Sequence, residues 1–340
     1  MSNRKKVVVI GGGTGTFTVL KGLRAHSNLD ITAVVTMADD GGSNRVLRDQ
    51  FGLLPTSGIR QCIVALSEKE GLLRELFSYR YHKGTGISGM TFGNLFMAAL
   101  SDITGSQKDS IEETCKLLGV RGNIYPVSYE NTSLVATYED GTEVLGEHDI
   151  DIASGKTAKQ RITNLRAIPK ISISEEAKNA IGQADLIVLG PGDLYTNTIA
   201  NLIVTGVREV IQKSPAKLVF VMNLMSTLGE TYNYKASDYL DDLSQYLDPD
   251  RPNHILINSD TTLPNDIAKK YASEDSRSVP DNLDDTWHQA NIIRTPLISS
   301  ITPEIQKGDT VSRSLVRHDS DLLASAIVSL LQSPYWQHSK

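Results

Sequence analysis

Three times along this chain of 340 residues, an apolar, β-branched run ends on a glycine-rich turn and passes into a helical pattern. The first run is 5–10, followed by Gly11-Gly12-Gly13-Thr14-Gly15. The second is 31–37, followed by Asp39-Asp40-Gly41-Gly42-Ser43. The third is ADLIVL at 184–189, followed by Gly190-Pro191-Gly192-Asp193. Short valine- and isoleucine-rich runs stopped by glycine read as strands buried on both faces, the form that strands take in a parallel sheet. Strand, tight turn and helix in repetition predict an α/β, doubly wound, mostly parallel sheet. Its turns gather along the carboxyl edge of the strands, where open sheets bind ligands.

The remaining periodicity fits this plan. Helices are expected over 16–26, 57–67, 71–81, 92–103, 111–118, 175–181, 234–246 and 319–331, and strands over 218–225 and 254–258. Ser57 is the expected N-cap of its helix, and Leu322, Leu323, Ile327 and Leu330 are the expected buried side of the last one. Residues 273–285 read as a surface loop. From 122 to 170 apolar and polar residues alternate around the turn Glu139-Asp140-Gly141-Thr142, a hairpin signal, so this stretch reads as a small β-rich insertion. The expected organisation is one α/β domain over 1–332 containing that insertion, with 333–340 a fraying tail.

Bulk properties narrow the function classes. A formal net charge of -6 without a dense Lys/Arg block argues against nucleic-acid binding. Two cysteines outside metal-type spacing argue against a disulfide framework and point to a reducing cytoplasm. The seven histidines form no HxxxH or HExxH pattern. No stretch approaches the roughly 20 apolar residues of a membrane span.

Each glycine turn places backbone N–H groups and a helix N-terminus where an anion binds well. The bland alternative is a tight turn that needs glycine only for its dihedral angles. In the first turn Thr16 stands where the dinucleotide fingerprint has its third glycine. The acids Asp39 and Asp40 come about 28 residues after Gly11 rather than about 20. Both departures weaken a NAD-dependent reading. Asp39-Asp40 beside a phosphate site suits hydroxyl recognition or a divalent cation carrying phosphate, against the alternative of a solvated acidic turn. Arg60 is placed to reach a phosphate across the cleft, although a lone arginine is more often a surface residue. Ser154-Gly155-Lys156-Thr157 imitates the end of a P-loop, but Ile150 occupies the position that requires glycine, so this reading fails.

Taken together, GGGTG, ADDGGS with LRDQFG, LPTSGIRQCIVALS, FGNLFMAAL, GPGDLYTN, NLMSTLGET and VRHD resemble the YvcK-like gluconeogenesis factor family, related to the 2-phospho-L-lactate transferases. The resemblance runs from about residue 5 to residue 330. It implies a three-layer fold with a Rossmann-like nucleotide-binding core. It also implies a cytoplasmic UDP-sugar binder, notably of UDP-N-acetylglucosamine, linked to cell shape, cell-wall synthesis and growth on gluconeogenic carbon sources. No reaction is firmly attached to that branch, whereas the transferases move a phospholactyl group from a guanosine diphosphate carrier to a deazaflavin. By motif, Gly12, Gly13, Thr14 and Gly15 would hold the diphosphate. Asp39, Asp40, Gly41, Gly42 and Ser43 would line the nucleotide or sugar, and Asn94 would offer an amide. Gly190, Gly192, Asp193 and Asn223 would close the far side, and Tyr271 and Arg317 match the aromatic and basic residues associated with UDP-sugar binding.

Three departures from the usual pattern stand out: Asn44-Arg45-Val46 after Ser43, Gly58 in place of an acid, and Ser226-Thr227-Leu228 within NLMSTLGET. Two function classes follow. One is a non-catalytic nucleotide-sugar binder that passes its state to regulatory partners, with no cofactor. The other is a transferase in which Asp39 or Asp40 holds Mg²⁺ and Arg60 assists. A homodimer is the expectation from the general frequency of symmetric pairs.

Overall fold

The computed structural model describes residues 4–69, 71–260, 263–300 and 315–332, without the side chains of Ser43, Gln50 and Gln332. The expected tail, 333–340, lies outside the described residues. Eleven strands are described: β1 Lys5–Gly11, β2 Leu29–Val35, β3 Asn123–Pro126, β4 Ser133–Tyr138, β5 Glu143–Leu145, β6 Ile162–Ile168, β7 Leu186–Leu189, β8 Lys217–Val221, β9 His254–Asn258, β10 Thr286–Trp287 and β11 Ala290–Thr295.

Eight strands form one sheet in the order β10-β11-β9-β8-β7-β1-β2-β3, parallel throughout except for the β10–β11 pair. Both faces of β1 are buried. Val7 and Val9 pack with Leu20, Leu23, Ile59, Ile63, Met97, Leu323 and Ile327 from the helices on one side. Val8 and Ile10 pack with Ile199, Ile211, Tyr239 and Leu243 on the other. That two-sided burial is why the strand reads as an unbroken apolar run. The result is the expected three-layer α/β arrangement. The chain fills the sheet from β1 outward through β2 and β3. It then returns to the opposite side of β1 with β7 and continues through β8 and β9. The switch point therefore lies between β1 and β7, the location of the ligand crevice in open α/β sheets.

A second, antiparallel sheet of order β5-β4-β6 packs on the second face through Leu134, Tyr138 and Leu165. Its hairpin turns at Glu139–Thr142, as the alternation predicts. Its start differs from expectation: Asn123–Pro126 pairs in parallel with β2 and completes the main sheet. A four-residue strand carries too little alternation to reveal its partner. Further elements depart from the sequence reading, among them the helix Val207–Lys213 and the strands β10 and β11, for which it expects nothing. Gly42–Phe51 is a helix, as is Asn265–Ser273. In the last helix, Ser320–Gln332, Leu322 is 47% exposed while Leu323, Ile327 and Leu330 are buried. No helix among the described residues is long and apolar enough to cross a membrane.

Candidate functional site

The turns after β1 and β7 meet at the switch point. Gly12 is in extended conformation, with φ -168, and precedes the helix Gly13–Leu23, which has no side-chain cap. The N–H groups of its first turn thus have no intrahelical partner. Gly12 needs its glycine for space: a Cβ would lie 2.3 Å from Asn197 Oδ1 and 2.8 Å from Thr36 Cγ2. At Gly15 a Cβ would lie 2.1 Å from the Pro191 carbonyl oxygen, so the two turns pack backbone against backbone. Gly13 and Gly190 have φ of 62 and 74, where glycine is favoured.

The second turn leads into a single wide helical turn, Leu194–Ile199. The buried Glu230 carboxylate organises it, accepting from Tyr195 N–H at 2.8 Å and from the Thr196 hydroxyl. Asn197 donates to Asp193 Oδ2 at 3.0 Å, and Asn201 Nδ2 returns to the Gly11 carbonyl at 3.2 Å. Burial, then the neighbouring Asp151 carboxylate, raises the Asp193 carboxyl above the usual carboxylate range.

These turns floor a cleft of about 800 Å³. Gly12, Thr14, Gly15, Gly192, Asp193, Asn223, Tyr271 and Arg317 line it, together with Arg60. The expected residues from six separate stretches thus converge on one cavity. The cleft also takes Arg80, His82 and Lys270, which the sequence reading does not single out, and His318, which it meets only beside Arg317 in the motif VRHD. The helix expected over 71–81 ends at Ser78, so Arg80 and His82 lie beyond it in the loop. Tyr271 is buried, and its hydroxyl accepts from Leu315 N–H and Val316 N–H at 2.8 and 3.0 Å, pinning the segment that carries Arg317.

A side pocket of about 100 Å³ adjoins the cleft at Gly12 and Asn197; Gly13, Asp39, Ser57, Gly58 and Glu147 also line it. Asp39 Oδ1 accepts from Gly41 N–H at 3.0 Å, and Oδ2 accepts from the Ser57 hydroxyl, which in turn accepts from Asn44 Nδ2 at 2.7 Å. Ser57 is therefore the first helical residue and serves Asp39 rather than capping its helix; Thr56 holds the cap position. Gly58 packs against β2, where a Cβ would lie 2.9 Å from Val35 Cγ1. Glu147, from the insertion helix Glu147–Asp151, faces the same pocket. Burial, then Asp39, pushes its carboxyl up to about 10, so it is protonated at neutral pH.

Other expected site residues lie elsewhere. Asp40 is 5% exposed and lines neither cavity: its Oδ1 accepts from His148 N–H at 2.9 Å, and Arg48 faces it at 3.9 Å. It holds the insertion to the core. Gly41 packs beside His148, and Gly42 opens the helix Gly42–Phe51 with φ 47. The Ser43 side chain lies outside the described residues. Asn94 is buried behind Arg60, accepting from its Nε at 3.1 Å. Gly190 lies behind its turn, against the Val221 carbonyl. Among the described residues no three His, Cys, Asp or Glu side chains converge as a metal cage. Mg²⁺ shared between one or two carboxylates and a diphosphate needs no such cage, and Asp39 has the right donor chemistry for it.

A family profile for the 2-phospho-L-lactate transferase CofD matches residues 7–298. The gluconeogenesis factor of Bacillus subtilis is 36% identical over 334 residues, covering 98% of this chain and 100% of that protein. The gluconeogenesis factor of Halalkalibacterium halodurans is 40% identical over 276 residues, covering 81% of this chain and 84% of that protein. The crystal structure of a UPF0052 family protein from Bacillus halodurans superposes with a TM-score of 0.85 at 35% identity, over 96% of this chain and 99% of that one. With the profile spanning most of its length and these relatives matching over most of theirs, the chain belongs to the 2-phospho-L-lactate transferase CofD family, which it shares with the gluconeogenesis factors.

Proposed function

We propose that this chain is a regulatory protein of the cytoplasm that binds a UDP-sugar, UDP-N-acetylglucosamine foremost, and signals its level to partner proteins. The regulated processes are cell shape, cell-wall synthesis and growth on gluconeogenic carbon sources. One observation carries the reading: two glycine turns abut at the switch point and floor a cleft that also presents Arg60, Tyr271 and Arg317. Backbone N–H groups and arginines suit a diphosphate. A volume of about 800 Å³ suits a nucleoside and a sugar as well. Differential affinity of two conformations for the ligand supplies the signal.

The second reading is a transferase acting on a nucleotide-diphosphate-linked substrate. The CofD profile favours it, and so does Asp39 next to Gly12 and Gly13 in the side pocket. There Asp39 would share Mg²⁺ with the diphosphate, and the ion would stabilise charge on the leaving group. Arg60, held by Asn94, faces the cleft where that charge forms.

Calorimetric titration with UDP-N-acetylglucosamine, GDP and NAD, each with and without Mg²⁺, separates these readings. The UDP-sugar is expected to bind best. Tight NAD binding without UDP-sugar binding would contradict the proposal, and tight, Mg²⁺-dependent GDP binding would favour the transferase. Arg317→Ala is expected to weaken the UDP-sugar about tenfold or more, a loss of about 1.4 kcal/mol. Unchanged affinity would remove Arg317 from the site.

A further inference from the structure

Beyond the helix Leu72–Ser78 the loop doubles back as a short antiparallel arm, 79–92. Tyr81 N–H donates to the Met90 carbonyl, Gly89 N–H to the Tyr81 carbonyl and Phe92 N–H to the Tyr79 carbonyl, each at 2.8 Å. Arg80 faces Thr91 across the arm in an isolated bridge. Side chains alternate along such an arm, and opposite residues share a face. Arg80, His82 and Thr91 therefore share one face, and all three line the large cleft. Tyr79 and Tyr81 take the other face and meet edge to face, 5.3 Å between ring centroids. The arm abuts the residues that hold Arg60: Thr91 caps the helix Phe92–Thr104, whose Asn94 accepts from Arg60 Nε.

Arg80 is half-buried. Among the described residues its guanidinium has one partner, the Gly89 carbonyl, which accepts from Nη1 at 2.6 Å, and no carboxylate pairs with it. That bond fixes the guanidinium on its own arm. Nε and Nη2, the edge that grips a carboxylate or phosphate with two parallel bonds, keep accessible surface. No Asp or Glu occurs from 76 to 101, in a chain whose net charge is -6. A guanidinium that has given up part of its water without gaining a carboxylate is poised for an incoming anion.

We propose that Arg80, with His82 beside it, forms a second anion subsite of the cleft, which takes a carboxylate or phosphoryl group other than the nucleotide's diphosphate. The inference rests on the nucleotide-sugar reading of the cleft and deepens it. The glycine turns and the arm belong to different walls: the turns follow β1 and β7, and the arm joins the helices Leu72–Ser78 and Phe92–Thr104. A diphosphate cradled by the turns leaves Arg80 to a further acidic group. That group is carried on the sugar, as in a sugar acid, or by a second small molecule seated beside the nucleotide-sugar. Both sources offer the same chemistry, oxygens sharing a negative charge and matched to the Nε–Nη2 edge. His82 adds a ring N–H, which either tautomer supplies.

Two measurements at fixed ionic strength test this. The first is calorimetry of wild type, Arg80→Gln and Arg80→Lys with UDP-glucose and UDP-glucuronic acid, which differ only in a hydroxymethyl against a carboxylate. With the acid on the sugar, wild type is expected to favour UDP-glucuronic acid about tenfold or more, Arg80→Gln to bring the two within about twofold, and Arg80→Lys to keep part of the preference. The second follows the ¹⁵N resonance of Arg80 Nε in wild type saturated with UDP-N-acetylglucosamine, a readout that does not depend on a variant folding. With the acid on a second molecule, inorganic phosphate is expected to move this resonance where chloride does not. A preference lost in Arg80→Gln locates the acid on the sugar; a moving resonance without that preference locates it on a second molecule. No preference in wild type together with a resonance that phosphate leaves in place overturns the subsite and leaves the nucleotide-sugar reading intact. So does Arg80→Gln weakening both UDP-sugars equally, because that puts Arg80 on the diphosphate. Wild type that binds no UDP-sugar overturns the nucleotide-sugar reading, and the response of the Arg80 resonance to phosphate then decides the subsite alone.

Discussion

Gly12 and Gly15 lie in the same turn but differ in what they tolerate. The obstacle to a Cβ at Gly15 is the Pro191 backbone, whereas at Gly12 it is chiefly the end of the Asn197 side chain, which can swing away. Gly15→Ala should therefore force the two turns apart, costing about 1–3 kcal/mol by overpacking, and should weaken ligand binding because those turns floor the cleft. Gly12→Ala should cost less, and thermal melting with calorimetry ranks the two. Glu147 offers a second test. Its carboxyl is raised from 4.5 to about 10, so the folded chain keeps a proton that the unfolded chain releases between those values. Stability then falls as pH rises through that window. Glu147→Gln should remove the fall, giving a melting-temperature gain that is absent near pH 4 and grows toward pH 9; parallel curves would contradict this. The glycine turns are legible in the sequence as an anion site. That Gly15 also serves turn-on-turn packing is not, because the partner backbone belongs to a distant strand. Glu147 gives no signal either: its environment is assembled from Asp39 and the insertion, which only the fold brings together.

Among elements, the joint between the small antiparallel sheet and the main one carries several polar contacts, among them Arg161 with Asp238 and Asp242 and Leu165 N–H with the Tyr246 hydroxyl, and Asp40 supplies another through His148 N–H. Asp40→Ala should leave that part-buried N–H unpaired and loosen the helix Glu147–Asp151 by about 1 kcal/mol. Hydrogen exchange should quicken over 146–152 with β1 and β7 unchanged, and unchanged protection of 146–152 would refute this role. On the other face, Gly22 lets the first helix touch the last: a Cβ there would lie 1.9 Å from the Ser320 carbonyl oxygen. Gly22→Ala should lower the melting temperature more than an alanine at an exposed site. The strand–turn–helix units are legible because each is local and strongly patterned. The helix Gly42–Phe51 is not, because its start coincides with a glycine loop that reads as ligand-binding, and Asn265–Ser273 buries only Tyr271 and so lacks an apolar stripe.

At the scale of the molecule, alternation of strands and helices implies a doubly wound sheet but not its strand order. That order makes the turn after β7 the neighbour of the turn after β1, across the register that pairs Val7 with Leu186. The cleft exists because of that adjacency, and so does the convergence of Arg60, Asn223, Tyr271 and Arg317 on it. The central claim is that this cleft holds a nucleotide-sugar by its diphosphate. A crystal structure of the complex with UDP-N-acetylglucosamine tests it most directly. The account predicts the diphosphate within hydrogen-bond distance of N–H groups of Gly13, Thr14, Gly15 or Gly192, with Arg317 on the ligand. A ligand seated away from both glycine turns would contradict it.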